Sequence, residues 1–598
     1  MELGRFEPPS AAQTALCLAC GVVVAGADDA ATVATLGPFG IRFAARALGI
    51  GLFLLVAFLV GERLMKIPGE TRRAGALPVL ERYRSLPFAG RILIPSAAMI
   101  ACWTPVIVMM YPGTIWYDTG DQIAQWYGIE AYGQPAGSIS SHHPLLDTIV
   151  FGSLARLGDA LAGDYQRALA VYAVVQCVVM CVELTGVCLY VAHVGREGAA
   201  RKAAVALFAF FSLFPALAIF MMSIVKDSLH LLFLVPWLVM FAETARTRLE
   251  ALRSPRFAAG FVALSVLAAL TTMTGLYVTI LSLCCLPLTR AGRAGRLRAL
   301  AVAAVTALIA TVVFPAAVRS ILDVAHEDQN QLLVVPMQMT ARYALDHPDD
   351  VTDAERAAID RVNHVPFEDM VSRYNPYLAD LVIQYSLRDP SGVGEYLRAW
   401  AAMGLRHPDS YANAFAALES GWFSLRRTPT DITDRGIGLD ELRGIAEQAT
   451  ANRIRFQIAD AVSPSFARMP RHLANRPNHA TRDGQSRVYA LWGFWQSTPV
   501  LLALTLTALW TFLLPAFLLF RLLRPPYGRV LARTALPAAY AAPLVWSLLS
   551  LLANAISVPL KPTASRYMLW ALVVVPFMLA LCASERPESN CPMKGNGR

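Results

Sequence analysis

Long apolar runs separated by short polar stretches dominate the chain. Runs over 11–27, 41–61, 92–110, 169–194, 203–222, 229–242, 257–273, 276–288 and 300–318 are rich in Leu, Val, Ala and Phe. Three more follow at 495–523, 535–558 and 567–583. Runs of about 20 apolar residues suit α-helices that cross a bilayer. A closed barrel would show alternating segments of about ten residues, and these runs are continuous instead. The pattern predicts an all-α integral membrane protein with about twelve transmembrane helices. The two runs that meet at Thr274–Gly275 could instead form one long kinked helix. The first run lacks a strongly basic leader and a second follows closely, so it reads as an uncleaved helix rather than a signal peptide.

One polar segment, 319–488, breaks this rhythm. Its stretch QLLVVPMQMTARYALDHPDD is amphipathic and turns at His347–Pro348. Thr352 with Glu355 three residues on has capping-box spacing. Helix-like runs then alternate with a second proline turn in GVGEYLRAWAAMGLRHPDSYANAFAALESGWF. These signals predict a small, mostly helical domain resting on the membrane. Residues 431–485 are richer in Gly, Asn, Arg and Pro, and part of that stretch is expected to be mobile. No internal repeat or low-complexity tract is evident. The chain therefore divides into 1–91 (two helices and a basic loop), 92–318 (a helical module), 319–488 (the polar domain), 489–584 (closing helices) and a tail, 585–598.

Charge orients this arrangement. Only 16% of residues are charged, against about 25% in soluble domains. The formal charge of +9 sits in short loops between apolar runs, which does not suggest nucleic acid as a partner. Lys and Arg crowd one set of loops, including Arg63, Lys66, Arg72, Arg73, Arg82, Arg84 and Arg91. The opposite short loops hold few: Arg42, Arg46, Arg156, Arg167, Lys226, Lys561 and Arg566. By the positive-inside rule both termini are cytoplasmic. The rule puts the loop at 111–148, Lys226–Asp227, the polar domain and the stretch from Lys561 to Arg566 together outside. Nine of the ten cysteines lie in or beside apolar runs, Cys591 is in the tail, and none is in the polar domain. A disulfide-built ectodomain is excluded, and no Cys pair has partners at zinc spacing.

The loop YPGTIWYDTGDQIAQWYGIEAYGQPAGSISSHHPLLDT, 111–148, carries the most chemistry. Asp118 and Asp121 share a face if the loop is helical there. Such carboxylates could take a proton from a hydroxyl, or hold a divalent cation such as Mg²⁺ or Mn²⁺. In a generic loop they would more often be a solvated capping pair. Gln122, Gln125 and Trp116 add amides and a flat apolar face, although membrane-interface belts also use aromatics. Pro144 after His142 and His143 marks a helix start. The histidines at that N-terminus could meet a phosphate, a metal or an acceptor. Lys226 and Asp227 form a turn between two runs and could meet a lipid phosphate, or simply pair with each other. Arg566 and Tyr567 open the last run. An arginine fork there suits phosphate, and snorkelling at the headgroups is the ordinary alternative. There is no P-loop, GxGxxG, HExxH or GxSxG.

YPGTIWYD with a following Gln, HHPLL opening a helix and a late RYMLW run together resemble the GT-C superfamily of integral-membrane glycosyltransferases. HHPLL is similar to the HPPL motif of the protein O-mannosyltransferase and aminoarabinose transferase branch, with Leu145 at its second Pro. The fuller pattern looks closest to uncharacterised bacterial membrane proteins associated with that superfamily. The resemblance implies a seven-helix module from the third to the ninth helix and an extracytoplasmic site in the bacterial plasma membrane. It also implies a polyprenyl-phosphate sugar donor drawn from membrane lipid and inverting transfer. Asp118 matches the position of the base, with Asp121 as second candidate. Lys226, Arg566 and His143 would steady the departing phosphate. No DxD or WWD-type motif is present, which leaves metal use and acceptor open. A polysaccharide polymerase or ligase, and a transporter or flippase of lipid-linked substrates, remain alternatives. Mid-membrane charges and inverted repeats would favour a transporter.

Overall fold

The fold is that of a computed structural model, which describes residues 8–65, 83, 85–131, 133–195, 197–289, 291–325, 330–383, 387–428, 435–445, 448–458, 465–469, 482–523, 536–558 and 562–584. Most of the first basic loop, Lys561, the tail and much of 431–485 lie outside these residues, and with them the mobility expected there.

Every apolar run corresponds to an apolar helix. Among the described residues, seven helices are long and apolar enough to cross a membrane: Ala11–Val33, Ile41–Met65, Phe88–Met110, Tyr165–Val194, Lys226–Arg246, Arg293–Arg319 and Ala564–Ser584. The run at 203–222 is a pair, Gly198–Leu213 and Pro215–Met221, bent by 56°. Four further runs are shorter helices: Pro255–Thr271, Met273–Leu288, Leu509–Leu522 and Ala541–Leu551. The first two of these are separate helices, not one kinked helix. Thr272 between them is extended (φ −148°, ψ 149°) and its Oγ1 accepts from Gly275 N–H, capping the second. Outward faces are apolar, as on Ile41–Met65, where Leu48, Leu52, Phe53, Val56 and Val60 are exposed. Such faces belong in lipid, and the chain is an all-α, multi-pass membrane protein.

The polar segment divides in two. Helices Val334–Asp346, Asp353–Val362, Phe367–Arg373, Val393–Arg406 and Pro408–Glu419 enclose a core of their own, with Met337, Tyr343, Ile359, Met370, Tyr396 and Met403 buried. The Thr352–Glu355 capping box is formed. Beyond it, Trp422, Ile454, Phe456, Ile458 and Phe466 leave this domain and join the core of the membrane helices. The end of the first helix is pinned to the same layer. Asp28 Oδ1 accepts from Ser424 Oγ (2.7 Å) and Leu425 N–H (2.8 Å), and Arg342 Nη1 donates to Ala34 O (2.8 Å).

Two minute parallel pairings tie the loops of this face to the helices. β1 (Thr114–Ile115) pairs with β3 (Ser223–Ile224), in register Thr114↔Ser223 and Ile115↔Ile224. β2 (Ile139–Ser140) pairs with β4 (Val324–Ala325). Gly113 makes the first pairing possible. Its φ is +105°, and a Cβ there would lie 3.1 Å from both Ala173 Cβ and Met222 O.

Candidate functional site

The β1–β3 register sets the site. Leaving β1, the chain enters a helix at Tyr117–Trp126, with Asp118 in its first turn. Leaving β3, it enters the Lys226–Arg246 helix, with Lys226 and Asp227 in its first turn. Two parallel strands thus bring two helix starts side by side. Gly152 holds the assembly close from below. A Cβ there would lie 2.2 Å from Trp126 Cγ, so only glycine lets the Tyr117–Trp126 and Leu145–Ala162 helices approach this closely.

Asp118 Oδ2 is the focus. Lys226 Nζ donates to it at 3.2 Å and Arg566 Nη2 at 2.5 Å. His143 Nε2 stands 3.9 Å away. On its other side His143 Nδ1 is 2.9 Å from Lys226 Nζ. Arg566 Nε reaches Asp227 Oδ2 at 3.4 Å. Two cations therefore face two carboxylates, with the Arg566 side chain only 7% exposed. Burial alone would raise the Asp118 carboxyl. The charges of Arg566, then Lys226, overwhelm that and hold it well below the usual carboxylate range. Burial, then Lys226, pushes His143 well below its ordinary value. His143 is thus a neutral ring that accepts from the ammonium, not a cation for phosphate. His142 is driven down to about 4 by burial first and Lys226 second, and is neutral too.

The structure also corrects several roles. Trp116 is fully buried, with Arg566 5.5 Å from its ring centroid, so it is the floor beneath the guanidinium and offers no open face. Gln125 braces the loop: Nε2 donates to Ala131 O (3.0 Å) and Oε1 accepts from Ser140 N–H (3.3 Å). Gln122 Nε2 donates to Thr148 Oγ1 at 3.0 Å. Asp121 is buried one turn beyond Asp118. Lys226–Asp227 is not a self-satisfied hairpin turn, and Arg566 does not snorkel. Tyr567 stays beside Arg566, its Oη 3.3 Å from Nη2. At Asp118 Oδ2 the place a divalent cation would take is held by Lys226 and Arg566.

Asp147 was hidden in the run that reads as an ordinary helix start. It is fully buried in the first turn of Leu145–Ala162, and neither oxygen has a hydrogen-bond partner among the described residues. Burial pushes its carboxyl well above the usual range, with Lys226 only partly opposing this. The Asp118 and Asp147 carboxyls are thus pushed in opposite directions in one neighbourhood. Its proximity to HHP in sequence was the available signal.

Next to this cluster opens a cavity of about 710 Å³. His142 and His143 line its polar end, and Tyr277, Phe314, Trp546 and Leu549 line its apolar wall. Tyr277, Leu281, Leu332 and Leu549 of its lining are exposed, so the cavity is open to the surroundings along an apolar stretch.

Residues 132–592 match the family DUF6020, described as a family of unknown function. The chain belongs to the DUF6020 family. No curated protein and no solved structure matches it. The DUF6020 match takes in His142, His143, Asp147, Lys226, Asp227 and Arg566. Asp118 lies ahead of it, on the segment that β1 docks onto the DUF6020 region.

Proposed function

We propose that this DUF6020 protein is a membrane glycosyltransferase that moves a sugar from a polyprenyl-phosphate donor to an acceptor hydroxyl on the extracytoplasmic side of a bacterial plasma membrane. The observation that carries this reading is a buried carboxylate held by Lys226 and Arg566, with His143 reaching from Lys226 to the wall of a large, mainly apolar cavity. The cavity would take the first isoprene units, and the cations the phosphate. Arg566 presents a fork that suits phosphate. The seven-helix module and twelve membrane crossings expected from the sequence belong to this proposal.

The resting cluster also explains how the base could be activated. A carboxylate pinned by two cations is a weak proton acceptor. A donor phosphate competes for the same two cations. As Lys226 and Arg566 turn to it, Asp118 loses its partners, its proton affinity rises, and it can accept the acceptor's proton. The acceptor oxygen then attacks the anomeric carbon opposite the phosphate. The C–O bond to phosphate breaks, the electron pair leaves on the lipid phosphate, and the configuration inverts. Lys226 and Arg566 stabilise that developing charge, where fixed charges in a dry site act most strongly. His143 positions Lys226 through its ring nitrogen.

Purified protein supplied with a short-chain polyprenyl-phosphate sugar and a panel of hydroxyl acceptors should give a product of inverted anomeric configuration. Cysteine labelling checks the side: Ser372→Cys, on the polar domain, should react from outside intact cells, and Ala294→Cys should not. Donor that is neither bound nor consumed, or labelling of Ala294→Cys alone, would remove this reading.

A further inference from the structure

A second cluster lies in the polar domain, away from Asp118. Its basis is a three-residue motif that occurs twice, His347-Pro348-Asp349 and His407-Pro408-Asp409. No longer repeat surrounds it in sequence, yet the backbone repeats. His347 (φ −139°, ψ 57°) ends the Val334–Asp346 helix and His407 (φ −132°, ψ 76°) ends Val393–Arg406. Each donates its N–H to the carbonyl four residues back, Tyr343 O at 2.8 Å and Met403 O at 3.1 Å. Each is followed by a proline that starts the next helical turn. The two turns face each other. Their imidazoles stack with centroids 3.6 Å apart and planes 11° apart. The Tyr343 ring lies beneath both, at 5.5 and 5.6 Å.

We propose that the facing turns form a site for one divalent transition-metal ion of the Zn²⁺ class, held by His347, His407 and Asp409. One ligand atom from each lies within 4.8 Å of the others. Zinc bonds of 2.0–2.1 Å in a tetrahedron place ligand atoms about 3.4 Å apart, so the gap to close is small. Asp409 is exposed on the first turn of the Pro408–Glu419 helix and can swing in, and one imidazole must also turn out of the stack, because lone pairs in two parallel ring planes do not converge on one ion. Two imidazoles and one carboxylate form the mixed set that zinc accepts. Mg²⁺ and Ca²⁺ prefer oxygen alone. The surroundings suit a ligating histidine. Asp350 Oδ2 is 3.6 Å from His407 Nε2, and Arg406 Nε holds that carboxylate at 2.8 Å. A fixed outer carboxylate is what steadies a ligating ring. Three protein ligands leave a fourth position for water or for a group from another molecule. The ion would staple the ends of two helices and fix the outer surface of the domain.

The test uses the full chain, purified without a polyhistidine tag and stripped with a chelator. Cobalt(II) serves as the visible probe, and Zn²⁺ as the competitor. One equivalent of Co²⁺ should give the strong visible bands of a tetrahedral site, lost when Zn²⁺ is added. His347→Ala and His407→Ala should abolish them, and His364→Ala, at an exposed histidine elsewhere in the domain, should not. Asp409→Ala alters only an exposed side chain and should fold. It should weaken Co²⁺ binding at least about 10-fold, the lower end of what losing even an outer partner costs. The proposal is overturned if the full chain gives no tetrahedral bands. Bands that survive in the His347→Ala/His407→Ala double variant, or undiminished affinity in Asp409→Ala, would also overturn it.

Discussion

Two arginine–carboxylate clusters in this protein are built from the same parts and behave differently. In the polar domain, Arg406 forks onto Glu355 at 2.9 Å through each of its terminal nitrogens and holds Asp350 at 2.8 Å. Tyr343 Oη joins the same carboxylate of Asp350. Arg406 is 34% exposed and Asp350 43%. In the membrane region, Arg566 is 7% exposed and Asp118 18%, and their partners come from three distant stretches of chain. The Asp350 carboxyl is lowered first by the Tyr343 hydroxyl and then by Arg406, in water. The Asp118 carboxyl is lowered against the pull of burial, by the charges of Arg566 and Lys226 together with the Arg566 hydrogen bond. Ion pairs that share water are worth about 0–1 kcal/mol and act as staples. Buried pairs are costly to assemble and more costly to break. The first cluster therefore serves the fold, and the second is a place where charge is kept ready.

The sharpest way to break this comparison is to neutralise one carboxylate in each cluster. Asp118→Asn should cut transfer about 10²- to 10⁴-fold, the usual contribution of a general base. Transfer near the wild-type rate would remove Asp118 as the base.

Arg566 comes next. Arg566→Ala should lower donor use more than Arg566→Lys does, because only the fork reaches two oxygens at once. Its burial adds an expectation that an interfacial position would not. The alanine variant leaves Asp118 and Asp227 short of a partner and should unfold at lower temperature, with lysine restoring much of the loss. Equal donor affinity in both variants would mean that Arg566 only balances buried charge.

A smaller effect is expected in the pH profiles. In the free protein Asp118 is held ionised, so the profile of kcat/KM should show no acid limb from it within the ordinary carboxylate range. Once donor engages Lys226 and Arg566 the carboxyl rises, so the acid limb of kcat should move to higher pH. Coincident acid limbs in the two profiles would contradict release of the base by the donor.

The smallest effect belongs to the exposed cluster. Glu355→Gln should cost about 1 kcal/mol of stability in thermal unfolding, because Gln can keep the capping bond from Thr352 N–H and Arg406 remains open to water. Transfer should stay unchanged. A loss of transfer comparable to that of Asp118→Asn would dissolve the distinction between the clusters.

The helices of this protein were legible because lipid demands long apolar runs, and turns were legible where proline marked them. Asp118, His143, Lys226 and Arg566 each stood out as a polar residue at the edge of an apolar run. Charge bias put them on one outer face, but their direct contact was not legible, since the approach of Asp118 to Lys226 depends on a pairing only two residues long, Thr114–Ile115 with Ser223–Ile224. Such a pairing leaves no periodicity to read. Asp147 was missed because a carboxyl inside LLDTIVFG looks like a tolerated helix residue, and only its burial reveals it. Trp116 and Gln125 were legible as residue types but not as roles. An aromatic face or an amide serves a ligand only when the chain has not already used it.

The cavity beside His142 and His143 meets the outside along an apolar edge, through Tyr277, Leu281, Leu332 and Leu549. On the proposed reading, what enters there is a lipid-linked donor that comes from the two-dimensional solution of the bilayer. Its effective concentration is a mole fraction among lipids, not a molarity in the buffer. Occupancy would then fall as inert lipid or detergent is added at constant total ligand, and would stay constant when the whole suspension is diluted. Affinities measured in micelles and in vesicles should agree only when expressed per amphiphile, and a binding curve plotted against bulk concentration would describe the membrane as much as the protein.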